Sequence, residues 1–141
     1  MILQELSYVK VAVSAIAYFA VGSVWFTPIG FGKPWMEGYG ISMPTDPEIQ
    51  KKVRKEMPKY MGITLLLCFV GTVALACLQG VIGINSLMSG VKLGIAAGSF
   101  VGIAFAMSHM YTRKSFKLTL IDSGYHVVGL TIASIILSVW H

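Results

Sequence analysis

Between Ser89 and Met110 the chain carries one charged residue, Lys92, and places glycine at every fourth position. Gly90, Gly94, Gly98 and Gly102 make three consecutive GxxxG steps, and Ala106 takes the next. Residues four apart are neighbours on a helix surface, so the pattern reads as one small-residue face, a glycine zipper. In water this helix is a poor one, because each interior glycine costs about 1 kcal/mol relative to alanine. In lipid the same face is useful, since it forms a shallow groove into which another helix backbone packs closely. The segment therefore points to a membrane and to a tight helix contact.

The rest of the chain fits that reading. Apolar residues make up 55% of its 141 residues and charged ones 12%, against about 25% charged in soluble domains. A hydrocarbon core about 30 Å thick takes about 20 helical residues, and four stretches are long enough: 8–27, 58–78, 89–110 and 118–140. The predicted fold is all-α: a polytopic membrane protein of four transmembrane helices, one domain over residues 1–141, with no room for a separate soluble domain. The first apolar run lacks a basic start and exceeds the length of a signal-peptide core, so it reads as a span. Cys68 and Cys77 lie nine apart on the second span. At about 100° per residue they face opposite ways, which excludes a bond between them within one helix.

The formal charge of +5 reflects topology rather than nucleic acid. Four spans put loops one and three on one side, and both termini with loop two on the other. The first side collects Lys33, Lys51, Lys52, Arg54, Lys55, Lys59, Arg113, Lys114 and Lys117; the second holds Lys10 and Lys92. That split of nine to two predicts cytoplasmic loops and termini outside. Trp25, Trp35, Tyr60, Tyr111 and Phe116 then mark the inner interface, and Tyr8 and Trp140 the outer one.

Loop one, residues 28–57, is the long connection. Its first part, Pro28-Ile-Gly-Phe-Gly-Lys-Pro-Trp35, is rich in turn formers and should leave the helix at once. Its second part opens with Thr45-Asp46-Pro47-Glu48, where Asp46 reads as N-cap and Pro47 as first helical residue. Ile49, Val53 and Met57 come next, four apart, ringed by Lys51, Lys52, Arg54 and Lys55. That pattern predicts a short amphipathic helix on the lipid headgroups, with Pro58 permitting a bend into the second span.

The polar cluster with chemical potential lies in the last hairpin. Asp122 and His126 are four apart and share a face, while His109 comes seven after Gly102 and falls within about 20° of the glycine face. Counted from the short third loop, His109 and Asp122 are equally deep. An acid inside a span needs a partner or a water-filled cavity. A His–Asp pair could serve structural hydrogen bonding or a proton relay, and two imidazoles with a carboxylate also form a metal-ligand set. No HExxH, paired CxxC, P-loop, nucleophile elbow or full dinucleotide fingerprint accompanies them. The sequence thus predicts no metal, no cofactor, no nucleic acid partner and no enzyme. His141 reads as a solvated terminus.

Two segments carry a resemblance. Trp25-Phe26-Thr27-Pro28 with Phe31-Gly32-Lys33-Pro34-Trp35, and Lys117-Leu-Thr-Leu-Ile-Asp122-Ser-Gly124-Tyr125-His126 with Trp140 near the end, are similar to a small bacterial membrane-protein family, domain of unknown function 1761. The likeness covers nearly the whole chain. It departs where family members often carry an Arg-Pro pair before the last span, here Arg113-Lys114-Ser115-Phe116, and at Asp122, where they often carry Asn. The resemblance implies four spans and a location in the bacterial cytoplasmic (inner) membrane. It implies no activity.

The expected function is a self-associating structural or interaction protein in contact with membrane lipid, a homodimer or small homo-oligomer. The alternative is an oligomeric transporter or channel for a small solute or ion, with the His109/Asp122/His126 cluster near its inner mouth. The two halves show no similarity of the kind inverted-repeat transporters carry, and no small-molecule substrate is legible. The topology has a direct test. Alkaline phosphatase fused after His141 should be active and green fluorescent protein there dark; the opposite result reverses the orientation.

Overall fold

A computed structural model of the chain describes residues 7–140, which form five helices: α1 (Tyr8–Trp25), α2 (Gly32–Tyr39), α3 (Pro47–Ile82), α4 (Leu87–Tyr111) and α5 (Phe116–Val139). Four of them, α1, α3, α4 and α5, are long and apolar enough to cross a membrane. No strand occurs among the described residues. The reading of His141 lies outside them.

Local chemistry sets the helix ends. α1 stops at Trp25, three residues before Pro28, whose ring disfavours helix in the residue before it. The side chains of Asp46, Ser86 and Ser115 each accept a backbone N–H in the first turn of α3, α4 and α5. Gly83 closes α3 at φ 77°, a left-handed conformation that glycine adopts without penalty.

α5 is the centre, packing against α4, α1, α3 and α2. α1 and α4 run antiparallel to it and α3 parallel, an up-down-up-down order. Where α1, α3 and α5 meet, the fully buried residues are small or hydroxylated: Val11, Ser14, Thr72, Ala133 and Ser134. Such side chains let helices approach closely in lipid. Their hydroxyls cost little there, because Ser14 donates to Lys10 O and Thr72 to Cys68 O one turn back. Gln79, also buried, donates to Ser134 O and Oγ at 2.8 Å each.

The glycine face of α4 is filled by α5 of the same chain. A Cβ on Gly94 or Gly98 would collide with the α5 backbone at Thr131 and Val127, and one on Gly90 with Ser138. At Gly102 the contact has loosened to 3.1 Å from the Ser123 side chain. Ala106 is exposed and belongs to no such contact. The single face expected for all five residues is therefore corrected to three tight positions and one loose one. Steps of four overshoot a full turn by about 40°, so Ala106 lies about 160° round from Gly90.

Two further expectations change in loop one. The basic amphipathic segment is not a separate helix; it is the first third of α3, a 36-residue helix that runs through Pro58. Pro58 removes the hydrogen bond to Arg54 O. Every residue from Lys51 to Leu67 is exposed, so that carbonyl can be met from outside the protein. The turn-rich segment does not stay irregular either, because Gly32–Tyr39 closes into α2 against the end of α5.

The glycine contact ranks substitutions. Gly94→Leu or Gly98→Leu should destabilise the fold by about 3 kcal/mol or more, the upper end for overpacking, because the obstacle is backbone. Gly102→Ala, opposite a side chain that can yield, should cost under about 1 kcal/mol. Thermal unfolding in detergent reads the order directly.

Candidate functional site

The polar site assembles at the end of the bundle where α2 lies. Asp122 stands six residues into α5, about 9 Å from its start, and is only 5% exposed. Its Oδ1 accepts the indole N–H of Trp35 at 2.8 Å, and its Oδ2 accepts the Tyr39 hydroxyl at 2.6 Å. His109, buried near the end of α4, places Nε2 3.4 Å from Oδ2 and 3.2 Å from the Tyr39 hydroxyl. Its Nδ1 meets Thr119 Oγ1 at 2.8 Å. The network accommodates His109 either as a cation donating through both nitrogens or as a neutral ring accepting from Thr119.

α2 is what makes the site. Its turns put Trp35 and Tyr39, four apart, on the face toward α5. Gly38 lets the helix close in, since a Cβ there would come 2.9 Å from the Leu118 side chain. Burial, with donation to the Asp122 carboxylate, pushes the Tyr39 phenol up to about 12. It therefore remains a donor at any physiological pH. Lys114 caps the outer side, with Nζ 5.2 Å from the centre of the Tyr39 ring. Trp25 supports the same end by donating its indole N–H to Ile121 O at 2.9 Å. Both tryptophans placed at the lipid interface thus also bind α5 directly.

The structure brings His109 to Asp122 and takes His126 elsewhere. His126 Nδ1 is joined to the Tyr18 hydroxyl of α1, and the ring of Phe105 lies between the two imidazoles, 5.6 Å from His109 and 5.3 Å from His126. Asp122 and His126 share a helix face but serve different neighbours. The three-member cluster is corrected to a pair plus a separate histidine. Among the described residues no group of three or more His, Cys, Asp and Glu side chains could hold a metal ion. Lys51, Lys52, Arg54 and Lys55 remain exposed on the free part of α3, and Cys68 and Cys77 are free thiols. No buried side-chain N or O among the described residues lacks a partner.

Trp35, Tyr39 and Thr119 were not legible as members of the site. The one available signal was that Trp35 and Asp122 sit in the two segments that carry the family likeness. Those segments, 87 positions apart in the chain, meet here.

The donor pattern predicts the outcome of substitution. Asp122→Asn should keep most of the stability: its oxygen still accepts from Trp35, while the Tyr39 hydroxyl can receive the amide N–H and donate to His109. Trp35→Phe leaves Oδ1 without its donor and should cost about 1–3 kcal/mol. Asp122→Leu strands Trp35, Tyr39 and His109 together and should cost most. Melting temperatures in detergent test the ranking, and an Asn variant less stable than Leu would refute it.

No curated protein and no solved structure matches the chain. A family model described as Protein of unknown function (DUF1761) matches residues 9–138. This multi-pass helical membrane protein, whose two motif segments converge on Asp122, belongs to that family.

Proposed function

We propose that this protein works by association rather than catalysis. It is a component of the bacterial inner membrane, with both termini outside, that self-associates as a homodimer or small oligomer and offers a surface to membrane partners. The observation that carries this reading is the state of α3. At 36 residues it is about 54 Å long, far beyond the 30 Å or so of hydrocarbon. From Lys51 to Leu67 every residue is exposed, although Met57, Tyr60, Met61 and Thr64 face a cavity shared with α1. Ile63, Leu66 and Val70 continue an outer ridge above the basic residues, which suit anionic headgroups. The glycine face of α4 supports no contact between copies, since α5 occupies it.

The transporter or channel reading has less support. Asp122 is enclosed by Trp35, Tyr39 and His109, and His126 is engaged apart from it.

Cysteine cross-linking in native membranes tests the association. Leu66→Cys on α3 should form a covalent dimer, whereas Phe100→Cys, 77% exposed on the outer face of α4, should not. A protein that stays monomeric with both variants would remove the proposal, and cross-linking through Phe100→Cys alone would move the interface to α4.

A further inference from the structure

Of the three side chains expected to cluster, His126 is the one that the Asp122 network leaves out. It lies ten residues into α5, about 15 Å along it, near the middle of a span of 24 residues. Among the described residues the hydroxyl of Tyr18 has no acceptor other than His126 Nδ1. The phenol therefore donates to Nδ1, and the proton of the neutral ring sits on Nε2. Among the described residues that Nε2–H has no partner, and it is not enclosed. The hydrocarbon of a bilayer offers it no acceptor.

His126 helps floor a groove of about 520 Å³ between α3 and α4, two helices that barely touch. The volume lies within the range of about 300–1,000 Å³ typical of small-molecule sites. Leu67, Gly71 and Leu78 form one wall, Ala97 and Val101 the other. The walls are apolar, and the groove opens sideways toward lipid. From Thr64 to Leu78 it runs along fifteen residues of α3, about 21 Å. Its floor is aromatic: the Tyr125 ring lies 4.7 Å from the imidazole and stacks on Tyr18 at 5.3 Å.

We propose that this groove binds a neutral lipid-soluble quinone, with a ring carbonyl accepting the His126 Nε2–H and the apolar tail lying along the α3 wall. Three features select this chemistry. The free donor calls for an acceptor oxygen. The aromatic floor suits a flat ring. The depth excludes the ester carbonyls of phospholipids, which stay with their headgroups, and admits a carbonyl on an uncharged molecule that resides in the hydrocarbon. This site is independent of self-association, which uses the outer ridge of α3.

The test is a titration of the full-length, ¹⁵N-histidine-labelled protein in lipid nanodiscs with a decyl-substituted benzoquinone, beside octadecane and ethyl oleate. The benzoquinone should shift the His126 Nε2 resonance, identified by its loss in His126→Phe. It should also bind tighter than either control. His126→Phe should weaken quinone binding about fivefold to tenfold, the worth of one hydrogen bond, and leave octadecane unaffected. Gly71→Leu fills the groove from a position where a Cβ meets nothing within 4 Å. It should abolish quinone binding and leave the melting temperature unchanged; if it does not fold, Ala74→Leu on the same wall replaces it. An unmoved Nε2 resonance, or quinone binding that survives the filled groove, overturns the proposal. Equal affinity for ethyl oleate overturns it in favour of an acyl-chain groove. A Gly71→Leu variant that changes the oligomeric state of a protein that takes no quinone overturns it in favour of a second copy.

Discussion

The close approach of α4 and α5 governs the arrangement of every other helix in this protein. Lipid offers no hydrophobic drive for helices to associate, so contact must come from packing. Gly90, Gly94 and Gly98 allow the α5 backbone to lie directly on α4. Backbone against backbone tolerates little slippage, and the register it sets carries down the hairpin through Gly102 and Ser123 to His109 and Thr119. The depth match of His109 with Asp122 is a consequence of that register. Because α4 needs so little room, α5 can also accept α1, α3 and α2 on its remaining faces.

A polar group in a membrane must find its partner within the protein, and this chain does so in two ways. In the tightly packed middle, Ser14, Thr72 and Thr131 return their hydroxyls to carbonyls one turn back, needing no second helix. These residues can be buried between helices and still stay small. At the end of the bundle a carboxylate cannot be satisfied locally, so separate elements converge on it: Trp35 and Tyr39 from α2, and His109 from α4. Asp122 thereby ties a loop helix and a transmembrane hairpin together. α2, eight residues long, is held by that tie together with the packing of Trp35 on Phe26 and of Gly38 on Leu118.

His126 obeys the same rule only in part. One nitrogen is joined to Tyr18 and the other is left at a groove that no helix of the chain fills. α3 is exposed over Lys51 to Leu67, and the groove between α3 and α4 runs along its second half.

Residue types and their spacing were enough to establish the four long apolar helices, the Asp46 cap, and the level placement of His109 and Asp122. All of these depend on distances along one helix or one short hairpin, which periodicity and length record directly. The same information could not establish how far the glycine pattern extends as a contact, because the 40° drift per step becomes decisive only once a partner helix crosses the face. Nor could it establish which helix fills that face, that α3 continues through Pro58, or that Gly32–Tyr39 is a helix. The partners of Asp122 and His126 were invisible for the same reason. Both side chains leave one face of α5, and their separation depends on the Phe105 ring between the imidazoles and on Trp35, Tyr39 and Tyr18 arriving from elements 83 to 108 positions away in the chain. Those contacts exist only after the helices have packed, and they belong to the tertiary structure for that reason.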